Sequence, residues 1–255
     1  MLKDNVITQP LSAIGYLLTG IKLISHPRLR YFVLIPLLIN LVIFAGAFWF
    51  IFSSVMNWVD GYISDLLPDF LSWLSYLFWP VLIGAILLTF SFLFSIVANL
   101  IAAPFNGLLS ERTEDLLTNS QLNNDSVLDS IKDLPRIFKR ELQKLTYFLP
   151  RMVLFFALSF IPVIGQIIVP FIWFAFSGWM MAIQYADFPF DNHKISFKTM
   201  KSALKTRTSK HLTFGLLVSF FTTLPVINFV IMPIAVCAST AMWVDLYKEK
   251  LTDRQ

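Results

Sequence analysis

One stretch decides the fold: MVLFFALSFIPVIGQIIVPFIWFAFSGWMMAIQYA, Met152 to Ala186, which holds no Asp, Glu, Lys or Arg. As one straight helix it would reach roughly 50 Å, well beyond a hydrocarbon core of about 30 Å, yet two full crossings and a loop need more residues than it contains. The break falls at Phe160-Ile161-Pro162-Val163-Ile164-Gly165-Gln166. There proline removes a backbone donor and glycine admits unusual dihedrals. An arm from Met152 to Val163 reaches only about 18 Å, so the stretch predicts a helical hairpin that enters a membrane part way and turns back. The same pattern returns downstream. Leu212 to Val244 is again free of charge, Pro225-Val226-Ile227-Asn228 echoes Pro162-Val163-Ile164-Gly165, and Pro233 follows Pro225 as Pro170 follows Pro162. Paired, Pro-interrupted apolar segments point to the working region of a transporter.

Composition agrees. Apolar residues make up 56% of 255 residues, aromatic residues 16%, and the mean hydropathy is +0.69. This describes a single integral membrane domain. The lone cysteine, Cys237, excludes a disulfide framework and a thiolate metal site. No cleavable signal is expected, because Met1 to Ile24 has only short apolar runs interrupted by Gln9-Pro10, Gly20 and Lys22.

Outward from the hairpins, the expected fold is all-α. Residues 1–30 form an interfacial segment with Ile14, Tyr16, Leu17, Leu18, Ile21 and Ile24 on one apolar side. Ser25-His26-Pro27 starts the first transmembrane helix, 31–56, which Pro36 bends and in which Asn40 faces protein. An acidic turn carrying Asp60, Asp65 and Asp69 leads to an aromatic belt at Trp73, Tyr76 and Trp79 and to a second transmembrane helix, 80–103. Pro104 ends that helix or restarts it at an angle. Residues 105–151 form a cytoplasmic helical segment with a loop at Asn119 to Ser126. In it Leu128, Ile131, Leu134, Phe138, Leu142, Leu145 and Leu149 make one face of an amphipathic helix, and Lys132, Arg136, Lys139, Arg140 and Lys144 make the other. That basic face reads either as a solvated surface beside anionic lipid or as an anion-attracting vestibule. The re-entrant hairpins occupy 152–186 and 212–244, joined by a basic cytoplasmic connection, 187–211.

Charge sets the topology. Lys194, Lys198, Lys201, Lys205, Arg207 and Lys210 lie between the hairpins. Were 152–186 to cross once, this connection would face the side opposite the basic segment before it, against the positive-inside bias. With both hairpins re-entrant, every Lys and Arg lies on one side and both termini are cytoplasmic. Irregular backbone at membrane depth must be covered by protein or line water, so a homo-oligomer is expected.

The sequence has no P-loop, its three histidines are dispersed, and the apolar runs hold no acid for a proton relay. No enzyme activity, cofactor, metal or nucleic-acid partner is therefore expected. Neutral polar groups, helix ends and basic mouths remain, and they suit an anion. The first candidate site is Pro27-Arg28-Leu29-Arg30, where free N–H groups, the positive end of the helix dipole and two guanidinium groups fit a tetrahedral oxyanion. The same arginines also serve as anchors that snorkel and set orientation. Asn106, Gly165, Gln166 and Asn228 are candidates at the hairpin tips and pathway, with hydrogen bonding between helices as the plainer role. Pro189 to Lys194 has the composition of a tight turn.

At these motifs the chain resembles the CysZ-type sulfate permeases of bacteria. The resemblance is carried by Ala102-Ala103-Pro104-Phe105-Asn106-Gly107-Leu108-Leu109, Phe148-Leu149-Pro150-Arg151, Ile183-Gln184-Tyr185 with Asp187, Pro189 to Lys194, and Ala241-Met242-Trp243-Val244-Asp245. It implies a multi-pass inner-membrane protein that admits sulfate, without ATP hydrolysis, for cysteine biosynthesis. It also favours the anion reading of the first helix start. There the family tends to carry Pro-Gly-x-Arg-Arg, whereas this chain has Arg28 for the glycine and Tyr31 for the second arginine. The alternative function is a membrane-shaping or scaffolding protein whose partial hairpins wedge one leaflet open.

Overall fold

The computed structural model describes residues 11–66, 74–119 and 134–252, and every regular element among them is a helix. In chain order these are α1 (Ala13–Ile24), α2 (Pro27–Leu66), α3 (Leu74–Thr118), α4 (Leu134–Ser159), a π-helical turn (Ile164–Ile168), α5 (Val169–Asn192), α6 (Phe197–Lys205), α7 (Thr208–Thr222), α8 (Pro225–Trp243), a second π-helical turn (Val244–Lys248) and α9 (Glu249–Thr252). The chain divides into two units: Leu34–Ala103, and Met1–Val33 together with Pro104–Gln255.

The 34–103 unit is made of the long apolar parts of α2 and α3. Pro27–Val55 has a mean hydropathy of 2.4, long and apolar enough to cross a membrane, and exposes Leu38, Leu41, Val42, Trp49 and Phe50. Helix α2 continues through Asp60 and Asp65, where an acidic turn was expected. The rest of that turn, including Asp69, lies outside the described residues, as does Trp73. Helix α3 covers the expected second span and runs past Pro104 to Thr118, so Pro104 is not its end.

The larger unit is built around α1, α5, α7 and α8. Ser12 starts α1 by accepting the Gly15 N–H at 3.1 Å, and α1 then buries Tyr16, Leu17 and Leu23 against the others. Helices α5 and α7 cross where Gly178 meets Gly215. A Cβ on Gly215 would overlap the Gly178 carbonyl oxygen, so this approach requires glycine. Ala182, Ile183, Phe214, Val218, Ala235, Val236, Cys237 and Ala238 fill the core between them.

Both predicted chain breaks are present, with different geometries. In the first, the Ile164 N–H donates to the Pro162 carbonyl at 2.8 Å, closing a γ-turn of the rare positive-φ kind at Val163 (φ 69°, ψ −53°). The π-helical turn follows. In the second, Leu224 is extended (ψ 112°) because it precedes proline, and Pro225 opens α8 at a position where its missing N–H costs nothing. Among the described residues Ile164–Asn192 is the other helical stretch long and apolar enough to cross a membrane.

Helix α4 departs from the expectation at two residues of its basic face, while Lys139 stays exposed. It runs without interruption from Leu134 to Ser159, and Phe138, Leu142, Leu145, Leu149, Val153 and Phe156 point outward. Arg140 and Lys144, expected on a solvated or vestibule-lining face, are 8% and 4% exposed. Leu128, Ile131 and Lys132 lie outside the described residues.

Candidate functional site

Two places in the larger unit concentrate polar chemistry. The first is the start of α2. Leu29 is fully buried and anchors the turn, whereas Arg28 and Arg30, on either side of it in sequence, are exposed. Successive helical residues diverge by about 100°, so the two guanidinium groups leave the helix in different directions. Arg30 donates to the Tyr31 hydroxyl at 3.3 Å and packs over its ring. The donors of this first turn are already used. The Leu29 and Arg30 N–H groups donate to the His26 carbonyl at 2.9 and 3.1 Å, and the Arg28 N–H donates to His26 Nδ1 at 3.3 Å. His26 thus caps the helix with both its backbone and its ring.

Of the other sequence candidates, Gly165 is buried, because a Cβ there would strike the Ser159 backbone, while Gln166 and Asn228 are exposed at their respective turns. Asn106 is half-buried on α3. The turn expected at Pro189 to Lys194 begins later: Pro189 lies inside α5, which runs to Asn192, and the chain reverses at His193 and Lys194 (φ 55°).

The second place is a buried ionic layer that single-motif reading did not assemble. Asp187 on α5 accepts from Arg140 Nε at 2.7 Å and faces Lys144 Nζ at 3.1 Å. Arg140 also donates to the Ile195 carbonyl at 2.8 Å. Beside it Arg136 pairs with Asp191, and Asn192 Nδ2 donates to the Gly107 carbonyl at 3.0 Å. Glu114 on α3, 1% exposed, receives His193 Nε2 at 2.9 Å and the Lys248 ammonium at 2.8 Å. Burial alone would push the Glu114 carboxyl up; the hydrogen bonds from His193 and Lys248 outweigh it and hold it below its usual range. The indole of Trp243 lies against Phe190 and His193, with ring centres 4.6 and 5.0 Å away. Tyr16 donates to Asp245 at 2.8 Å. The motif segments 106–107, 187–194 and 243–245 therefore meet in one layer. The only sequence signal for it was that each carries an acid or amide beside an aromatic residue.

Among the described residues no cluster of three or more His, Cys, Asp or Glu side chains gathers to hold a metal ion. The layer neutralises charge, and the α2 start presents it.

Residues 16–233 match the family described as Sulfate transporter CysZ/Etoposide-induced protein 2.4. The chain is 52% identical over 241 residues to a protein of Vibrio atlanticus named Sulfate transporter CysZ, covering 94% of this chain and 95% of that one. Proteins of the same name from Pectobacterium atrosepticum and Salmonella typhimurium are 50% and 51% identical over 245 and 243 residues. These cover 96% and 95% of this chain, and 89% and 96% of theirs.

Proposed function

The chain belongs to the sulfate transporter CysZ/etoposide-induced protein 2.4 family, and from that premise we propose that it is a sulfate permease of the bacterial inner membrane, supplying sulfate for cysteine biosynthesis without ATP. The observation that carries the site is the exposed pair Arg28 and Arg30 at the start of α2. Sulfate docks at the open N-terminal end of α2, on the helix axis, where the two long arginine side chains reach it from different sides, and the His26 ring swings off the Arg28 N–H to admit it. Charge-assisted hydrogen bonds of this kind contribute about 1.5–3 kcal/mol each, enough to hold a dianion briefly and release it.

In this reading the apolar parts of α2 and α3 span the bilayer, and the helix pairs α4–α5 and α7–α8 are hairpins that enter from the cytoplasmic side and turn back. Their tips, near Gly165, Gln166 and Asn228, flank the passage together with Asn106. The apolar stripe of α4 begins at Phe138, so lipid reaches at least that level. Cations facing lipid are costly, which accounts for Arg140 and Lys144 turning inward onto Asp187. Both termini are cytoplasmic, and a second copy of the chain covers the irregular backbone at the tips.

The test is uptake of labelled sulfate by proteoliposomes that hold only this protein, with chloride and phosphate as competitors. Saturable, sulfate-selective entry that falls at least about tenfold in Arg28→Ala plus Arg30→Ala supports both function and site. Entry unchanged in the double variant removes the site. Tubulated vesicles with no anion entry would favour the membrane-shaping alternative.

A further inference from the structure

Away from the α2 start and the ionic layer, the starts of α1 and α7 enclose an open groove of about 560 Å³. Ser12, Ala13, Thr206, Arg207, Thr208, Ser209, Lys210 and Thr213 line it, and none of these carries a carboxylate. Lys210 is fixed in place: its ammonium donates to the Leu11 carbonyl at 2.6 Å and lies over the Tyr16 ring. Burial, and then the charge of Arg207, hold the Lys210 pKa below its ordinary value. The charge of Asp245 raises it, and that carboxylate accepts the Tyr16 hydroxyl at 2.8 Å. Among the described residues the Arg207 guanidinium has no acceptor, and the hydroxyls of Ser209 and Thr213 have no partner. Among the described residues two cations therefore face one concavity with only the negative charge of Asp245 acting on Lys210, an arrangement that attracts an anion.

A second feature indicates which anion. Immediately beyond Ser12 and Ala13, α1 exposes Ile14, Leu18 and Ile21 in a single stripe, while its other face is packed in the core. A basic, hydroxyl-lined groove at the start of the helix that carries this exposed apolar stripe matches a molecule with a phosphate at one end and hydrocarbon at the other. The basic side of a membrane protein also faces the leaflet rich in anionic lipid.

We propose that this groove binds the phosphate of an anionic phospholipid, with Arg207, Lys210, Ser209 and Thr213 around the headgroup and an acyl chain along Ile14, Leu18 and Ile21. The shared chemistry is that of a phosphate oxyanion, and the lipid is its source. The proposal rests on the membrane reading above and is independent of sulfate passage.

The full-length protein in an uncharged detergent is melted, following tryptophan fluorescence, with added phosphatidylglycerol, phosphatidylcholine or sodium phosphate. Phosphatidylglycerol is expected to raise the midpoint by several degrees and phosphatidylcholine to leave it in place. Arg207→Gln is expected to remove at least half of the shift. Ser209→Asp, at an exposed position, should do the same, while Lys205→Gln, outside the groove, should keep it. An equal shift in Arg207→Gln and Ser209→Asp, or an equal response to phosphatidylcholine, overturns the site. The whole shift obtained with millimolar phosphate overturns the lipid assignment in favour of a free oxyanion.

Discussion

Two histidines in the chain act in opposite senses. His26 accepts the Arg28 N–H at the start of α2, the same donor an incoming anion would use. Removing a helix cap costs about 1 kcal/mol, and the same amount is returned to a ligand that no longer displaces it. His26→Ala is therefore expected to tighten sulfate binding by about fivefold, measured as the half-saturating concentration for uptake; weaker binding would mean that the ring helps to hold the anion. His211 is buried and shares a hydrogen bond with Tyr247 at 2.7 Å. Burial, then the charges of Lys210 and Arg207, push its pKa from 6.5 down to about 4. The unfolded chain binds this proton first, so the stability that His211 allows is whole above about pH 6.5 and lost as pH falls toward 4. Thermal midpoints in detergent should decline across that window, and the decline should flatten in His211→Gln, which keeps hydrogen-bonding groups without the titration.

At the scale of the element, the chain break between α4 and the first π-helical turn stores strain. Val163 is a β-branched residue at φ 69°, exposed and without packing to compensate. Such a residue costs about 1–3 kcal/mol, whereas glycine at the same place gives up about 0.5–1 kcal/mol of chain entropy. Val163→Gly is expected to raise the thermal midpoint modestly; a fall would mean that the side chain is held by contacts outside the single chain. The position of this break was legible because Pro162 and Gly165 interrupt a charge-free run, and the start of α2 was legible in Pro27, although His26 caps it and the Ser25 hydroxyl instead donates to the Ile21 carbonyl at the end of α1. The orientation of α4 was not. Its heptad-like spacing marks the outward apolar stripe from Phe138 to Leu149, but Lys139 stays exposed while Arg140 and Lys144 turn inward, and that depends on Asp187, roughly fifty residues away and on another helix. Sequence periodicity carries no information about such partners. Pro189 misled for a related reason, since a turn-forming residue is tolerated within a helix once surrounding packing supports it.

Across the whole molecule, the ionic layer joins what the apolar segments leave separate. Asp187 takes two cations from α4, and Glu114 links α3 to the end of α5 and to the π-helical turn near the C-terminus. Asp187→Ala leaves Arg140 and Lys144 buried without their common partner. Breaking a buried pair from one side costs about 3–5 kcal/mol, a large share of a typical domain's stability. A strongly lowered melting temperature, or loss of the folded protein on purification, is expected; an unchanged melt would show that water reaches the layer. For the same reason the α2 start was the easier site to find from sequence: its parts are contiguous, whereas the ion pairs of the layer draw on α3, α4, α5 and the second π-helical turn.

The chain's one thiol offers a practical opening. Cys237 is fully enclosed in the core, with the Thr113 hydroxyl 3.3 Å from its sulfur. Water-soluble maleimides have no route to it in the folded protein, so the natural sequence already serves as a silent background. Single cysteines placed at the exposed positions Lys139, Gln166 or Lys205 would then report, one at a time and without any prior removal of native thiols, from which side of the bilayer each is reached.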